Sequence, residues 1–363
     1  FAAKSLRSET DLSARRALVL ALGEMVTPDS PAGRSFTAVA APFLQQLWHE
    51  HPDPGLHGAA EWTLRRWQRS ERLRGPAKPL PSMRTNDKLP QWRTNALGQT
   101  LVLIPAPPPF YMGSPADEVG RTGGAKDQTE KRHLRRIGRS FAIATHPITV
   151  SQFQRFRADH AYNDAVSPGP DHPINTVTWY DAAAFCNWLS EQDGIPRDQW
   201  CYDPDGLFEE GMEVPEDFLN RLGYRLLTEP EWEFACRAGS QSSYYFGEGE
   251  ELLKHYAWYT KTSNDQITLE VGRLKPNDLG LFDLSGNVLE WCNDWAAHYP
   301  TATTASEIAD APVVKRLDNR DTRILRGGSF ADTASGVRSA YRYFNLPEDR
   351  YNCLGFRVAR TYR

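Results

Sequence analysis

The chain has 363 residues, 24% of them charged and 40% hydrophobic, which allows two or three domains with a buried core and excludes disorder throughout. A net charge of −4 argues against a nucleic-acid partner, and no apolar run approaches the about 20 residues of a membrane span. Five cysteines, an odd number in a long chain, do not make a secreted disulfide framework. The opening FAAKSLRSET has neither a Met nor a signal-peptide pattern, so the sequence reads as a cytoplasmic piece of a longer polypeptide.

Charge divides the chain. Residues 1–97 carry a net +5 and the remainder −9. Within 1–73, helical spacing of apolar residues predicts three helices: Asp11 to Met25, the run AAPFLQQLWHE, and the stretch GLHGAAEWTLRRWQRS after Pro54. These read as an α-helical repeat-like or docking segment. His49, His51 and His57 lack the spacing of a metal site and read as surface histidines. Residues 74–97 contain the Pro-rich run RGPAKPLPSMRTNDKLPQW, which has no sustained period and reads as a linker.

From residue 98 the texture is α+β with sparse regular structure. Strand-like TLVLIPA and SFAIATHPITV alternate with turn-rich loops. Helices are predicted at Ser151 to His160 and Tyr180 to Gln192, with a brief one from Glu229. In RLLTEPEWEFA, Thr228 is a helix N-cap and Glu231 closes a capping box, leaving Trp232 and Phe234 to anchor the helix. In GLFDLSGNVLEW, Gly280 and Gly286 suit tight turns, while Asp283, Asn287 and Glu290 offer hard oxygen ligands; these either hold calcium or cap the turns themselves.

The ordered motifs FYMGSPADE, HPITVSQFQRF, HPINTVTWYDAAAFCNWLS, YRLLTEPEWEFACRAG, PNDLGLFDLSGNVLEWCNDW, RILRGGSF and LGFRVAR resemble the formylglycine-generating-enzyme, or sulfatase-modifying-factor, family. The resemblance covers residues 98–363 and implies a C-type-lectin-like fold. It also implies a candidate calcium site made by the side chains of Asp283 and Glu290 and the backbone oxygens of Gly286 and Val288. Catalytic members resemble one another in a Gly-Gly-Ser-aromatic-x-Cys-x4-Cys stretch whose two thiols bind copper(I). Here Gly327-Gly328-Ser329-Phe330 is followed by Ala331, Asp332 and, five residues later, Val337, so no copper is expected. Cys186, Cys201, Cys236 and Cys292 read as buried packing residues. No HxxxHxE, GxSxG, HExxH or P-loop pattern offers another catalytic route.

Residues 330–353 also resemble the variable region of diversity-generating-retroelement proteins, which share the lectin-like fold. Arg338, Arg342 and Arg350 read as scaffold that makes internal ion pairs. The candidate variable, ligand-binding positions are Ala331, Asp332, Thr333, Ser335, Gly336, Val337, Tyr341, Tyr343, Phe344, Asn345, Leu346, Tyr351, Asn352 and Cys353. None carries a residue that adenine-directed mutagenesis excludes (Lys, Glu, Gln, Met or Trp), and the Tyr, Ser, Gly and Asn mixture is that of a paratope. The implied function is non-catalytic recognition of a protein ligand, in a sensor whose upstream effector is a protease or an NTPase. The alternatives are a divergent metal-dependent oxygenase and a structural assembly subunit.

Overall fold

The computed structural model describes residues 6, 8–69, 73, 91–121, 129–264, 266–299, 307–310 and 316–363. Three fully described helices lead the fold: α1 (Leu12–Met25), α2 (Pro31–Glu50) and α3 (Pro54–Arg66). Asp11, Ser30 and Asp53 each accept a backbone N–H at a helix start, and Pro31 and Pro54 open their helices where a missing N–H costs nothing. The cap at Ser30 explains why α2 runs 20 residues, past Pro42, and begins well before the stretch expected from Ala40. Val19, Leu44, Leu47, Leu56, Leu64 and Trp67 form the shared core of the three.

Most of the expected linker, residues 74–90, lies outside the described residues. Its last part does not behave as a connector. Trp92–Thr94 is strand β1, antiparallel to β2 (Thr100–Ile104), and it closes one edge of a five-stranded sheet. The other strands are β5 (Ser140–Ala144), the C-terminal β12 (Val358–Tyr362) and β6 (Tyr224–Leu226), in the order β1-β2-β5-β12-β6. All five residues of β2 are buried because both faces are covered: Leu101 and Leu103 enter one core with α5 (Trp179–Gln192), and Val102 and Ile104 enter another with Trp232 of α6 (Glu229–Arg237).

A short helix, α4 (Val150–Gln154), ends in turns well before the expected His160. A second sheet has the order β10-β9-β7-β11, from β10 (Arg342–Asn345), β9 (Arg323–Arg326), β7 (Leu289–Trp295) and β11 (Leu354–Gly355). A third joins β3 (Phe110–Met112), β4 (His133–Arg136) and β8 (Ile308–Ala309). Among the described residues no helix is long and apolar enough to cross a membrane.

The helical segment is packed onto the sheet domain. His57 is fully buried, correcting its reading as a surface residue: its ring lies 4.0 Å from Trp92 and 5.4 Å from Trp48, and its Nδ1 is 2.6 Å from the Trp48 carbonyl. Trp92 donates to the His51 carbonyl at 2.8 Å, and Trp62 to the Arg273 carbonyl at 3.1 Å. At Gly58 the helix touches the loop directly, because a Cβ there would sit 2.6 Å from the Gly280 Cα. Helix propensity alone makes Gly58→Ala stabilising by about 1 kcal/mol. Overpacking against backbone costs about 1–3 kcal/mol, so the variant is expected to melt at a lower temperature than the parent. An unchanged or raised Tm would show that the helix does not rest on this loop.

Candidate functional site

Helix α6 organises the candidate surface. Thr228 caps it, with Glu231 completing the capping box, and its glutamates Glu229, Glu231 and Glu233 are all buried. Each is taken by arginines from other parts of the chain. Glu231 receives Arg225 at 2.6 and 2.8 Å and Arg139 at 2.8 Å. Burial raises its pKa, but Arg139 and Arg225 outweigh that and hold it down at about 2. Glu233 pairs with Arg237 at 2.8 Å and with Arg326. Glu229 receives both arms of Arg342, at 2.6 and 2.8 Å, and the Tyr299 hydroxyl at 3.0 Å.

These pairs fix the C-terminal segment. Arg326 also donates to the carbonyls of Ser339, Ala340 and Tyr341 at 2.9, 3.1 and 2.8 Å, bracing the chain that enters β10. Arg338 is bound by Glu118 and Glu130, and Arg350 reaches Asp181 at 2.8 Å. The scaffold role expected for Arg338, Arg342 and Arg350 is thus what the structure contains.

Strand β10 is the outer strand of its sheet, paired to β9 with Tyr343 opposite Leu325 and Phe344 opposite Ile324. Its aromatics face outward: Tyr343 is 43% exposed, Phe344 52% and, in the following loop, Tyr351 51%. Tyr343 and Phe344 stack with ring centroids 6.2 Å apart. Ala331, Thr333 and Asn352 are exposed too, whereas Asp332, Ser335, Tyr341, Asn345, Leu346 and Cys353 are half-buried.

Two of the fourteen candidates do not belong to this surface. Val337 is wholly buried among Tyr244, Leu253, Ala257 and Tyr259, and Gly336 is buried where a Cβ would lie 3.0 Å from the Asp332 Cβ. Conversely, Ala296, Ala297, His298, Thr322 and Ile324 were not anticipated. They form the far wall of a groove of about 400 Å³ beside Tyr343 and Phe344. No local signal marks them, because only the pairing of β7, β9 and β10 brings them together.

The positions of the two copper-binding thiols carry other duties. Asp332 Oδ2 accepts the backbone N–H of Ser329 at 2.8 Å and its hydroxyl at 2.7 Å, closing a turn. Val337 is core. Cys186, Cys201, Cys236 and Cys292 are buried, and burial raises all four thiol pKa values, that of Cys201 to about 12. Burial first, and Asp332 second, push the half-buried Cys353 up to about 11. Neither position of the copper-binding stretch thus holds a thiol, and the five cysteines lie elsewhere in the chain.

The candidate calcium positions are also engaged. Glu290 Oε1 accepts from Arg357 at 2.7 Å and its Oε2 from Arg357 at 2.9 Å and Trp232 at 2.8 Å, while Arg357 further donates to the carbonyls of Ala144, Thr145 and Phe282. Asp283 accepts the Gly272 N–H at 2.8 Å. Gly286, at φ +85, donates to the Gly327 carbonyl at 2.7 Å, and Val288 is buried. The set does not fit calcium in this arrangement, since a metal on Glu290 would have to displace the guanidinium already there.

The geometry agrees with the relationships of the chain. Residues 87–362 match the sulfatase-modifying factor enzyme 1-like domain, and the chain belongs to that family. It is 31% identical over 205 residues to the formylglycine-generating enzyme of Bos taurus, covering 52% of this chain and 44% of that one. It is 27% identical over 267 residues to serine/threonine-protein kinase pkn1 of Chlamydia pneumoniae, covering 67% of this chain and 36% of that one. The chain thus spans about a third to two-thirds of the length of the curated relatives it matches. Among solved structures, Treponema denticola variable protein 1 superposes with a TM-score of 0.57 at 28% identity, over 72% of this chain and 95% of that one. PvdO from Pseudomonas aeruginosa gives 0.54 at 25% identity, over 73% and 95%. The C-type-lectin-like, formylglycine-generating-enzyme-like fold expected from the motifs is the fold of this chain.

Burial, ahead of hydrogen bonding and neighbouring charge, pushes the Asp283 carboxyl from 3.8 up to about 6. Because the folded form holds this proton more tightly, its contribution to stability is present below about pH 4 and is lost as pH rises through about 6. Asp283→Asn keeps an acceptor for Gly272 and removes the charge. It is expected to raise Tm relative to the parent near about pH 8 and to lose that advantage near about pH 4, in melts followed by circular dichroism. Calcium chloride at about 1 mM is expected to leave the parent Tm in place. A calcium-induced rise of several degrees that Asp283→Asn abolishes would put a metal on this loop after all.

Proposed function

We propose that the chain is a non-catalytic ligand-recognition unit whose binding face is β10, the groove beside it and the loop carrying Tyr351. The observation that supports this most is the outward placement of Tyr343, Phe344 and Tyr351 on a segment whose Arg338 and Arg342 turn inward to buried glutamates. Large, stiff aromatics flanked by small polar residues supply contact area at low entropic cost, which suits a protein ligand. Asp332 and Val337 at the thiol positions support recognition over oxidation.

The similarity to a protein named a variable protein supports the further reading that this face is diversified by a retroelement. In that reading the exposed positions vary while Gly336 and Val337 do not, because they are packed. The helical segment would then join recognition, inside the cell, to an upstream effector, a protease or an NTPase.

A capture experiment tests the proposal: the parent chain and a Tyr343→Ala, Phe344→Ala, Tyr351→Ala variant are used as bait in lysate, with bound proteins identified by mass spectrometry. All three side chains are solvent-facing, so the variant is expected to melt within about 2 °C of the parent, as surface changes do. It is expected to lose the captured protein. Capture of the same proteins by both baits would contradict a binding role for this face, and unfolding would show that the aromatics are core.

A further inference from the structure

Strand β10 is the open edge of its sheet among the described residues, and the usual guards are missing from it. Arg342–Asn345 pair with Arg323–Arg326 of β9 in continuous antiparallel register, without a bulge. In such a ladder every second residue turns its N–H and C=O away from the partner strand. Among the described residues, the backbone of Arg342–Asn345 makes no hydrogen bond beyond this ladder. Free edges invite a further strand, and proteins block them with Pro, Lys, bulges or a covering element. The sequence Arg-Tyr-Phe-Asn has neither Pro nor Lys, and its one charge is withdrawn: the Arg342 side chain is 7% exposed and bound to Glu229.

The surroundings suit an extended guest. Successive strand residues point to opposite faces, and Tyr343 and Phe344 are both exposed, so both faces stand open there. The groove beside them has apolar walls at Ala296, Ala297 and Ile324. A helical guest has its backbone groups already paired and would leave the edge unmet, whereas an extended segment brings a matching row of donors and acceptors. Its side chains on one face recur about every 7 Å, so one can enter the groove while its neighbours pass over the aromatics. Arg326 and Arg342 hold this stretch of backbone from below, so the row stays in place whichever side chains stand at positions 343 and 344.

Building on the recognition role proposed above, we infer that the partner protein is bound by strand addition: an extended segment of it, apolar at alternate positions, pairs along the free edge of β10 and places one apolar side chain in the groove at Ala296, Ala297 and Ile324. Affinity then comes from main-chain hydrogen bonds and specificity from the alternate side chains.

The test selects phage-displayed random peptides of about 10 residues on the full parent chain, then synthesises the binders with one backbone amide N-methylated at a time. Methylation is expected to weaken binding about tenfold or more at every second position and to matter little between them. Hydrogen exchange of the amides in β10 is expected to slow when a peptide binds. Binders that are lost on the double change Tyr343→Ala, Phe344→Ala but show no alternation on methylation would keep the recognition face and overturn strand addition. Binders indifferent to that double change would overturn the face itself. Strand addition also fails if no peptide binds, or if the chain forms a dimer through β10 that added peptide does not dissociate. The decisive changes are made in the peptide, so the result does not depend on a variant chain folding.

Discussion

Three glutamates at alternate positions of one nine-residue helix govern this domain. Glu229, Glu231 and Glu233 are all buried in α6, Arg342, Arg326, Arg225 and Arg139 converge on them from four other regions of the chain, and Arg237 joins them from the same helix. Such pairs add little net stability compared with apolar packing, but removing one partner strands a buried charge at a cost of about 3–5 kcal/mol. Their structural value is direction. A guanidinium binds a carboxylate as a planar fork, so each pair fixes the backbone that carries it.

This matters most where regular structure is scarce. The segment between Ser329 and β10 contains one 3₁₀ turn, Ala334–Val337, and few strand hydrogen bonds. Arg326 satisfies three successive carbonyls there while also pairing with Glu233 and Glu229, and Arg342 reaches down to Glu229 from the strand that carries Tyr343 and Phe344 outward. The frame is thereby held from below, independently of the side chains above it. A face built this way can change its outer residues without disturbing the fold.

The framework could be read in the sequence where the signal was local. The capping box of Thr228 and Glu231, the burial of the four packing cysteines and the inward scaffold arginines are set by neighbours or by ordered motifs. Features made by distant contacts could not be read. His57 looks like one of several surface histidines until Trp92 covers it, and Trp92 lies in a stretch that has the composition of a linker. Val337 occupies a position that resembles an active-site thiol and sits inside a variable-looking segment, yet residues 244–259 bury it. The groove wall at Ala296–His298 arises only when separate elements meet. Asp283 and Glu290 had suitable chemistry and spacing for calcium, but Arg357, far along the chain, takes up Glu290.

A rigid frame is separated here from a permissive face, and a saturation scan of residues 330–353, scored by resistance of each variant to proteolysis, tests that separation most directly. Ala331, Thr333, Tyr343, Phe344, Tyr351 and Asn352 are expected to accept nearly every residue with stability within about 0.5 kcal/mol, whereas Gly336, Val337, Arg338 and Arg342 accept almost none. Tolerance spread evenly over both groups, or greatest at the buried one, would contradict the separation.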